Sequence, residues 1–435
     1  MPEGWQEPAD VPIRFIVHDH KEWDGLHEFF SVFPPPAAGS RTIHLNQSPF
    51  GILAAMALTD DAQTVKIKVP LGLPDPTPHI PPANPPTFGK WKLGRQIFFA
   101  RKLVSGNDTF ACATCHNPAI GFAEDRAITS GGMRNTLSLI NCVFNRHQFW
   151  DGRAEALEEV MVRTLSDELQ PDEKNPQRGP QETHRWGGLV RALGEDADYR
   201  LRFKLVFGID RPTQDAIAKA LATYLRTVLS ANSLVDRAEE ERRRKNSPQL
   251  LAEHFLPSLD APALRALETR QETKEEVAKK LEHGHRLFQS KGCAGCHPAP
   301  LYTDHDFHNV GIGESERFRQ AGNETGRFAH VPIGLKEPRL IGAFKTPTLR
   351  ALPRTAPYFH DGSYPDLRSV VKYFNHSINR NRYLAQSLRL DPAGTPKALD
   401  MNADDQAALV LFLRALDGDP VDNVLRSEET ASPQR

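Results

Sequence analysis

The sequence has 435 residues, of which 39% are hydrophobic and 25% are charged, and its formal net charge at pH 7 is −1. This composition is that of a folded globular protein, which excludes a disordered chain, and the length gives room for two domains and an extension. The balanced charge excludes general attraction to nucleic acid or to an anionic membrane. The longest apolar run, residues 50–58, is far shorter than the roughly 20 residues of a transmembrane helix.

The N-terminal region predicts a small β-containing extension. Branched and polar residues alternate over residues 11–17 and 64–69, which indicates two short strands. Seven prolines lie within residues 74–86, and such a stretch favours an extended polyproline conformation. We therefore expect an extension over residues 1–73 and a linker over residues 74–87.

A repeated pattern divides the rest of the chain. Each copy places a glycine and two large apolar residues before a Cys-x-x-Cys-His motif. The copies are Gly94, Ile97, Phe98 and residues 112–116, and then Gly284, Leu287, Phe288 and residues 293–297. Such a repeat indicates two related domains. We expect them over residues 88–230 and 276–420, joined by a charged helical segment at 231–275 and followed by a tail at 421–435.

The spacing of apolar residues predicts helices in both domains. Thr213 is expected to cap a helix that has one apolar face, and a last helix is expected near residues 404–416. The charged run at residues 239–245 is typical of a solvated helix face. These patterns predict a mainly α fold with long loops.

The two Cys-x-x-Cys-His motifs predict covalent haem. Two thiols form thioethers to one haem, and the adjacent histidine becomes an iron ligand. The predicted attachment residues are Cys112, Cys115 and His116 for one haem c and Cys293, Cys296 and His297 for a second. A four-cysteine zinc site or a thioredoxin-type redox pair leaves the histidine after each pair unexplained. The fifth cysteine, Cys142, is expected to be a small buried apolar residue.

Covalent haem attachment is an export-side process in bacteria, so we expect a periplasmic protein. The first 20 residues lack the basic start and apolar centre of a signal peptide. A leader is therefore expected to have been removed or to lie upstream. The complete fold prediction is mainly α, with two cytochrome c-like haem domains, long loops and the β-containing N-terminal extension.

Longer strings resemble the bacterial di-haem cytochrome c peroxidase family, which includes the MauG-like enzymes of methylamine utilisation. They are residues 149–154 (FWDGRA), 344–350 (FKTPTLR) and 355–363 (TAPYFHDGS), within a resemblance that covers about residues 88–418. In this family the N-terminal haem reacts with peroxide and the C-terminal haem supplies electrons. The resemblance implies these roles for the haems of His116 and His297 and a coupling role between them for Trp150.

The resemblance also implies a calcium ion between the domains. The family holds it with an asparagine side chain and two backbone carbonyls, which correspond here to Asn135, Thr355 and Pro357. Oxygen ligands of this kind suit calcium, and waters would complete the six to eight ligands that the ion takes.

The sequence departs from the family at the first haem. The family places a catalytic glutamate twenty residues after the tryptophan and a glutamine ten residues after it, and these positions are Gln170 and Val160 here. Glu168 is the nearest glutamate and is the candidate acid–base residue. If it is instead a surface acid, peroxidase turnover should be poor. The loop after His116 offers no distal histidine, and Met133 is expected to pack, so the first haem is predicted to be open without prior reduction.

The sequence also departs at the second haem. Fourteen residues after His360 the family carries a methionine or tyrosine ligand, and this position is Phe374 here. Tyr373 and His376 are the nearest side chains that could act as the sixth ligand. Without either, the iron is five-coordinate or binds water, and its potential cannot be assigned by analogy.

The resemblance implies an oxidoreductase that reduces hydrogen peroxide to water with electrons from a small cytochrome c or cupredoxin. Family members often pair, so a homodimer is expected. Two alternatives stay open: a MauG-like enzyme that uses peroxide to oxidise a protein substrate, and a non-catalytic di-haem electron carrier.

Overall fold

The computed structural model describes residues 11–18, 30–32, 64–101, 111–128, 134–166, 185–269, 271–313 and 325–426. This part of the chain is mainly helical, as predicted. Its α-helices are α1 (Phe88–Phe99), α2 (Cys112–Cys115), α3 (Leu157–Ser166), α4 (Arg185–Glu195), α5 (Ala197–Phe207), α6 (Gln214–Leu225), α7 (Leu234–Arg244), α8 (Ala252–Phe255), α9 (Ala261–Ala266), α10 (Lys274–Ser290), α11 (Cys293–Cys296), α12 (Leu367–Lys372), α13 (Ala403–Arg414) and α14 (Asn423–Arg426). None of these helices combines the length and the apolarity that a membrane span requires.

The strands form two small sheets. Near the N-terminus, β1 (Ile13–Ile16) pairs in parallel with β3 (Val65–Lys68), and β2 (Phe30–Val32) pairs antiparallel with the other edge of β3. The two strands predicted from alternation are confirmed, whereas β2 was not predicted. Farther along the chain, β4 (Phe307–His308) and β5 (Phe344–Lys345) form a short antiparallel pair.

Two hydrophobic cores organise the described residues. The first contains the buried faces of α1 and α6 together with the N-terminal sheet, whose Phe15 and Ile67 are buried in it. The second contains α10 and α13. The predicted cap of α6 is confirmed, because the Thr213 hydroxyl accepts a hydrogen bond from the backbone N–H of Ala216.

Each core is built on a helix crossing at the repeated glycine. Helix α1 crosses α6 at Gly94, where an added Cβ would overlap the carbonyl oxygen of Ala220. Helix α10 crosses α13 at Gly284, where an added Cβ would overlap the carbonyl oxygen of Ala408. Glycine is needed at both positions because any side chain would push the two helix backbones apart. The sequence repeat therefore has a direct structural counterpart.

We expect Gly94→Ala and Gly284→Ala each to lower the free energy of unfolding by about 1–3 kcal/mol, because the new methyl group overpacks the crossing. Gly188→Ala in α4 is the matched control, since an added Cβ there meets no atom within 4 Å. The control should be neutral or stabilising by up to about 1 kcal/mol, as expected for alanine in a helix. Urea denaturation of the three variants checks this, and equal effects in all three would contradict it.

A buried ion pair joins segments that are far apart in the sequence. The Arg350 guanidinium donates to both carboxylate oxygens of Asp236 at 2.8 and 2.9 Å. It also donates to the backbone carbonyls of Gly72 at 2.8 Å and Pro300 at 2.9 Å. Both charged side chains are almost fully buried. The pair thereby connects the end of the N-terminal extension, helix α7 and the loop that follows α11.

Candidate functional site

The two Cys-x-x-Cys-His motifs have the same local geometry. Helices α2 and α11 are each a single turn formed by the Cys-x-x-Cys residues, and the histidine follows as the C-terminal cap. His116 Nδ1 lies 3.2 Å from the carbonyl oxygen of Phe122, and His297 Nδ1 lies 2.9 Å from that of Tyr302. A carbonyl can only accept, so Nδ1 carries the proton and Nε2 is the nitrogen available to a metal.

The electrostatic environment keeps these motifs neutral. Burial lowers the pKa of His116 and of His297, which favours the neutral imidazole that binds iron. Burial also raises the pKa of Cys112 to about 12 and that of Cys293 to about 11, so both remain thiols. Two thiols beside a neutral histidine with Nε2 available fit covalent haem.

The arrangement of the ligands does not support the zinc alternative. A structural zinc site needs four thiolate or imidazole ligands around one ion. Among the described residues, the one cluster of three metal-ligating side chains is Cys296 with Asp304 and His308, and it contains a single cysteine. The remaining cysteine, Cys142, is buried as predicted.

The resemblance between the halves continues beyond the cysteines. The Ser138 hydroxyl donates to the carbonyl of Gly121 at 2.6 Å, and the Thr348 hydroxyl donates to the carbonyl of Leu301 at 2.6 Å. In each case the acceptor directly precedes the residue whose carbonyl holds the haem-motif histidine. Each hydroxyl thus fixes the loop that orients the histidine ring.

A second repeated element is a tight turn with an aromatic ring at its second position. Phe149 and Phe359 both have left-handed backbone conformations, with φ of 62° and 68°, and they are followed by Trp150 and His360. We call these the Trp150 turn and the His360 turn. The rings of Trp150 and His360 lie 6.3 Å apart between centroids, in an edge-to-face arrangement. Equivalent positions of the two halves therefore meet each other.

The two turns exchange reciprocal hydrogen bonds. The backbone N–H of Asn135 donates to the carbonyl of His360 at 2.7 Å, and the N–H of Lys345 donates to the carbonyl of Trp150 at 2.7 Å. Asn135 and Lys345 are themselves equivalent, since each directly precedes the threonine of its half. Such reciprocity is the signature of a local two-fold axis. This axis passes between Trp150 and His360.

Trp150 is held by residues of both halves. Its indole N–H donates to the backbone carbonyl of Asn135 at 2.9 Å. The His360 ring that faces it stacks on Phe344 with 3.7 Å between the ring centroids. Trp150 therefore lies between the two halves and contacts residues of both.

Asp151, directly after Trp150, is a buried carboxylate surrounded by two guanidinium groups and an imidazole. Arg134 lies 2.6 Å, Arg153 3.0 Å and His330 3.1 Å from its carboxylate oxygens. Burial alone would raise the pKa of Asp151, but the hydrogen bond from His330 and the two guanidinium groups hold it well below its usual range. This cluster fixes the Trp150 turn, and sequence reasoning missed it because its members come from three separate segments.

His360 makes the junction sensitive to acid. Burial, together with the charge of Arg134, lowers the pKa of His360 from 6.5 to about 3. The unfolded chain therefore binds this proton first as the pH falls, so the stability contributed by His360 is complete above about pH 6.5 and is lost toward pH 3.

We expect the protonation of His360 to lower the free energy of unfolding by about 2 kcal/mol between pH 7 and pH 5. In His360→Phe, which keeps a ring against Phe344, the loss over this pH interval should be smaller by that amount. Urea denaturation at both pH values measures the difference. An unchanged pH dependence in the variant would show that His360 is not the buried neutral group.

The residues predicted to bind calcium lie in neighbouring segments. Asn135 is buried, and its side-chain NH₂ donates to the carbonyl of Arg126 at 3.0 Å. Its Oδ1 is therefore the side-chain atom that could coordinate a cation. Its backbone is bonded to the His360 turn. Thr355 and Pro357 directly precede this turn in sequence. Calcium binding by these three residues stays a prediction.

The candidate sixth ligands of the second haem differ in exposure. Tyr373 is buried, and its hydroxyl donates to the carbonyl of Val310 at 2.8 Å. His376 is exposed. The segment Tyr373–Ser377 is a π-helical turn, which inserts one residue relative to an α-helix and so shifts the register at Phe374. Ligation by Tyr373 or His376 stays a prediction.

Three residues discussed for the first haem, Glu168, Gln170 and Met133, lie outside the described residues.

Near the second haem motif, sequence reasoning missed an ion pair between His308 Nε2 and Asp304 at 2.8 Å. Hydrogen bonds to Asp304 and to Cys296 raise the pKa of His308 to about 10.

Residues 89–244 match the family model described as di-haem cytochrome c peroxidase. The chain is 29% identical over 376 residues to the methylamine utilization protein MauG of Methylorubrum extorquens, covering 84% of this chain and 89% of that protein. It is 26% identical over 362 residues to the cytochrome c551 peroxidase of Nitrosomonas europaea, covering 80% and 86%. Among solved structures, a MauG-like protein associated with microbial copper homeostasis has a TM-score of 0.60 and 23% identity, covering 87% of this chain and 100% of that one, which shows a shared fold.

Proposed function

We propose that this chain is an enzyme of the di-haem cytochrome c peroxidase family and that it reduces hydrogen peroxide to water at the first of two covalent haems, which its likeness to that family supports. Each turnover takes two electrons and two protons and yields two molecules of water. The bound haem iron would supply the peroxide-binding position and the one-electron steps. Cys112, Cys115 and His116 would hold the first haem, and the second motif would hold the haem that receives electrons.

The observation that carries this proposal is the position of Trp150. Its indole is bonded to Asn135 of the first half, its carbonyl accepts from Lys345 of the second, and its ring faces His360. An oxidisable ring in the contact between two haem-bearing halves suits electron transfer between them. We accordingly assign a first haem domain to residues 88–230 and a second to residues 276–420, with residues 231–275 between them.

Protons must reach the peroxide oxygens as electrons arrive. We propose Glu168 as the group that moves a proton from one oxygen to the other, with Gln170 beside it. We further propose a calcium ion at Asn135, Thr355 and Pro357, which would fix the His360 turn against the first half. The second iron would take Tyr373 or His376 as its sixth ligand.

The electron donor would be a small cytochrome c or cupredoxin, and the compartment would be the periplasm. Covalent haem attachment and the family support both assignments. We also propose that the protein forms a homodimer, as family members often do. Nucleic acid is not a partner in this proposal, in keeping with the net charge of −1.

A second candidate function is peroxide-dependent oxidation of a protein substrate, as in MauG-like enzymes. The supporting observation is a group of aromatic rings that lies on both sides of His360 in the chain. Phe359 lies 5.1 Å from Tyr364 and 5.6 Å from Tyr373 between ring centroids, and Tyr364 is partly exposed. Oxidisable rings that reach the surface suit electron withdrawal from an external protein. A carrier without catalytic activity is the third candidate.

Low-temperature electron paramagnetic resonance of the oxidised, haem-loaded protein tests the proposal. We expect a high-spin signal from an open first haem that disappears after one equivalent of hydrogen peroxide. Steady-state assays with a reduced small cytochrome c then separate peroxidase turnover from oxidation of a protein substrate. Two low-spin signals that peroxide leaves unchanged would contradict enzymatic function and favour an electron carrier.

A further inference from the structure

A group of buried nitrogen atoms lies beside the Trp150 turn. It comprises Lys345, His147 and His305, which we call the Lys345 pocket. His305 lies between Thr303, whose hydroxyl donates to the carbonyl of Thr346 at 2.7 Å, and Asp306, whose carbonyl accepts from the N–H of Thr346 at 2.9 Å. Lys345 is 3% exposed and His305 is 8% exposed. Lys345 pairs with Phe307 across the β4–β5 ladder, and the His147 ring lies 5.4 Å from the Phe307 ring. Because directly paired side chains of a ladder lie on the same face, Lys345 and His147 flank the same ring.

These nitrogen atoms have no acceptor in the described part of the chain. The Nδ1 atoms of His147 and His305 are buried without a hydrogen-bond partner. The described residues also provide no hydrogen bond or ion pair for the Lys345 ammonium. The carboxylate that acts on Lys345 is Asp304, but it is engaged by His308 at 2.8 Å. Burying polar nitrogen atoms without a hydrogen-bond partner is costly, and the two imidazole Nδ1 atoms are buried in this way, which indicates that a group from outside the polypeptide completes the pocket.

The charge of the pocket selects an anion. Burial lowers the pKa of Lys345 to about 8, so the ammonium is still mostly protonated at neutral pH. Burial lowers the pKa of His305 to about 4, with contributions from the charges of Lys345 and Arg146. Burial and the charges of Arg327, Lys345 and Arg146 lower the pKa of His147 as well. One ammonium with two neutral imidazoles, each able to donate an N–H, suits a carboxylate and repels a metal cation.

We propose that Lys345, His147 and His305 together bind one carboxylate group. Two sources share this chemistry. One is a propionate of a covalently bound haem, and this possibility rests on the proposed function. The other is a small free carboxylate from solution, and this possibility does not depend on the proposed function.

The test uses haem-loaded protein with Lys345→Met, which removes the charge but keeps the length of the side chain. Lys397→Met is the matched control, because Lys397 is exposed. The reduction potentials of both haems are measured by spectroelectrochemistry with increasing sodium formate at constant ionic strength. Peroxide turnover is recorded separately, so that loss of activity is not taken for loss of the pocket.

If a propionate fills the pocket, Lys345→Met should lower the potential of one haem, because an uncompensated carboxylate favours ferric iron, and formate should have no effect. If a free carboxylate fills it, formate should shift a potential of the unsubstituted protein saturably, and Lys345→Met should abolish the shift. Potentials equal to those of the Lys397→Met control, without a formate response, would overturn the proposal.

A crystal structure of the unsubstituted haem-loaded protein, grown with formate, provides a second test that needs no variant to fold. A carboxylate within about 3.2 Å of Lys345 Nζ is expected. Water alone at this position would overturn the proposal. If the protein does not react with peroxide but binds a carboxylate here, the proposed function is disproved and the proposal of a carboxylate site is supported.

Discussion

Replacing Trp150 with phenylalanine is expected to lower peroxide-dependent turnover on the order of 100-fold, the scale at which loss of one positioned group affects an enzyme. The phenyl ring fills most of the space but loses the indole N–H that donates to the carbonyl of Asn135 at 2.9 Å. It also removes the readily oxidised ring that faces His360. Steady-state oxidation of a reduced small cytochrome c by peroxide measures the effect.

The conservative variant Trp150→Tyr separates electron transfer from packing. Tyrosine resembles phenylalanine in shape but, like tryptophan, it is readily oxidised. If Trp150 couples the haems, Trp150→Tyr should recover a substantial part of the turnover, and both variants should retain two haems per chain by absorbance. Equal losses in the two variants would mean that Trp150 acts by packing alone. Unchanged turnover in Trp150→Phe would remove it from the electron route.

Replacing Arg350 with methionine should have the largest effect on stability, about 3–5 kcal/mol of unfolding free energy. Methionine fills much of the volume but leaves the buried carboxylate of Asp236 without its two guanidinium hydrogen bonds. The carbonyls of Gly72 and Pro300 lose their donors as well. Burial of an unpaired charge is the dominant cost.

Arg339→Met provides the matched control for this variant. Arg339 also forms a close ion pair, 2.7 Å from Glu337, but both side chains are more than half exposed. An exposed pair of this kind contributes about 0–1 kcal/mol. Urea denaturation of the two variants compares a buried pair with an exposed one. Equal losses would show that the Arg350 ion pair is not what stabilises this junction.

The sequence predicted the parts of the fold that depend on local patterns. The strands at residues 11–17 and 64–69 are present, and Thr213 caps α6. Period-two alternation and a capping residue act over a few neighbouring positions, so they can be read without knowing what packs on them. Helix α13, Ala403–Arg414, starts one residue before and ends two residues before the helix predicted at 404–416, which is ordinary for helix ends.

The junction between the halves could not be predicted in the same way. Trp150 was singled out from a resemblance, but its partners Asn135 and Lys345 are separated from it by 15 and 195 positions. Their hydrogen bonds use backbone atoms, which leave no trace in residue identity. A fuller comparison of the two repeats could have revealed that Trp150 and His360 are equivalent. The contact between Trp150 and His360 depends on how the two halves are oriented, and a periodic pattern in the sequence does not predict this orientation.

The reciprocal bonds between the Trp150 turn and the His360 turn resemble the contact between two identical subunits, yet both turns belong to one polypeptide. A contact inside one chain experiences a fixed effective concentration, commonly in the millimolar range for flexible connections, whatever the amount of protein in solution. A dimer of separate single-haem units would instead fall apart on dilution by mass action. The spacing between the two haem motifs should therefore be the same at nanomolar as at millimolar protein. The contact between the two halves therefore needs no assembly step, however low the abundance of the protein.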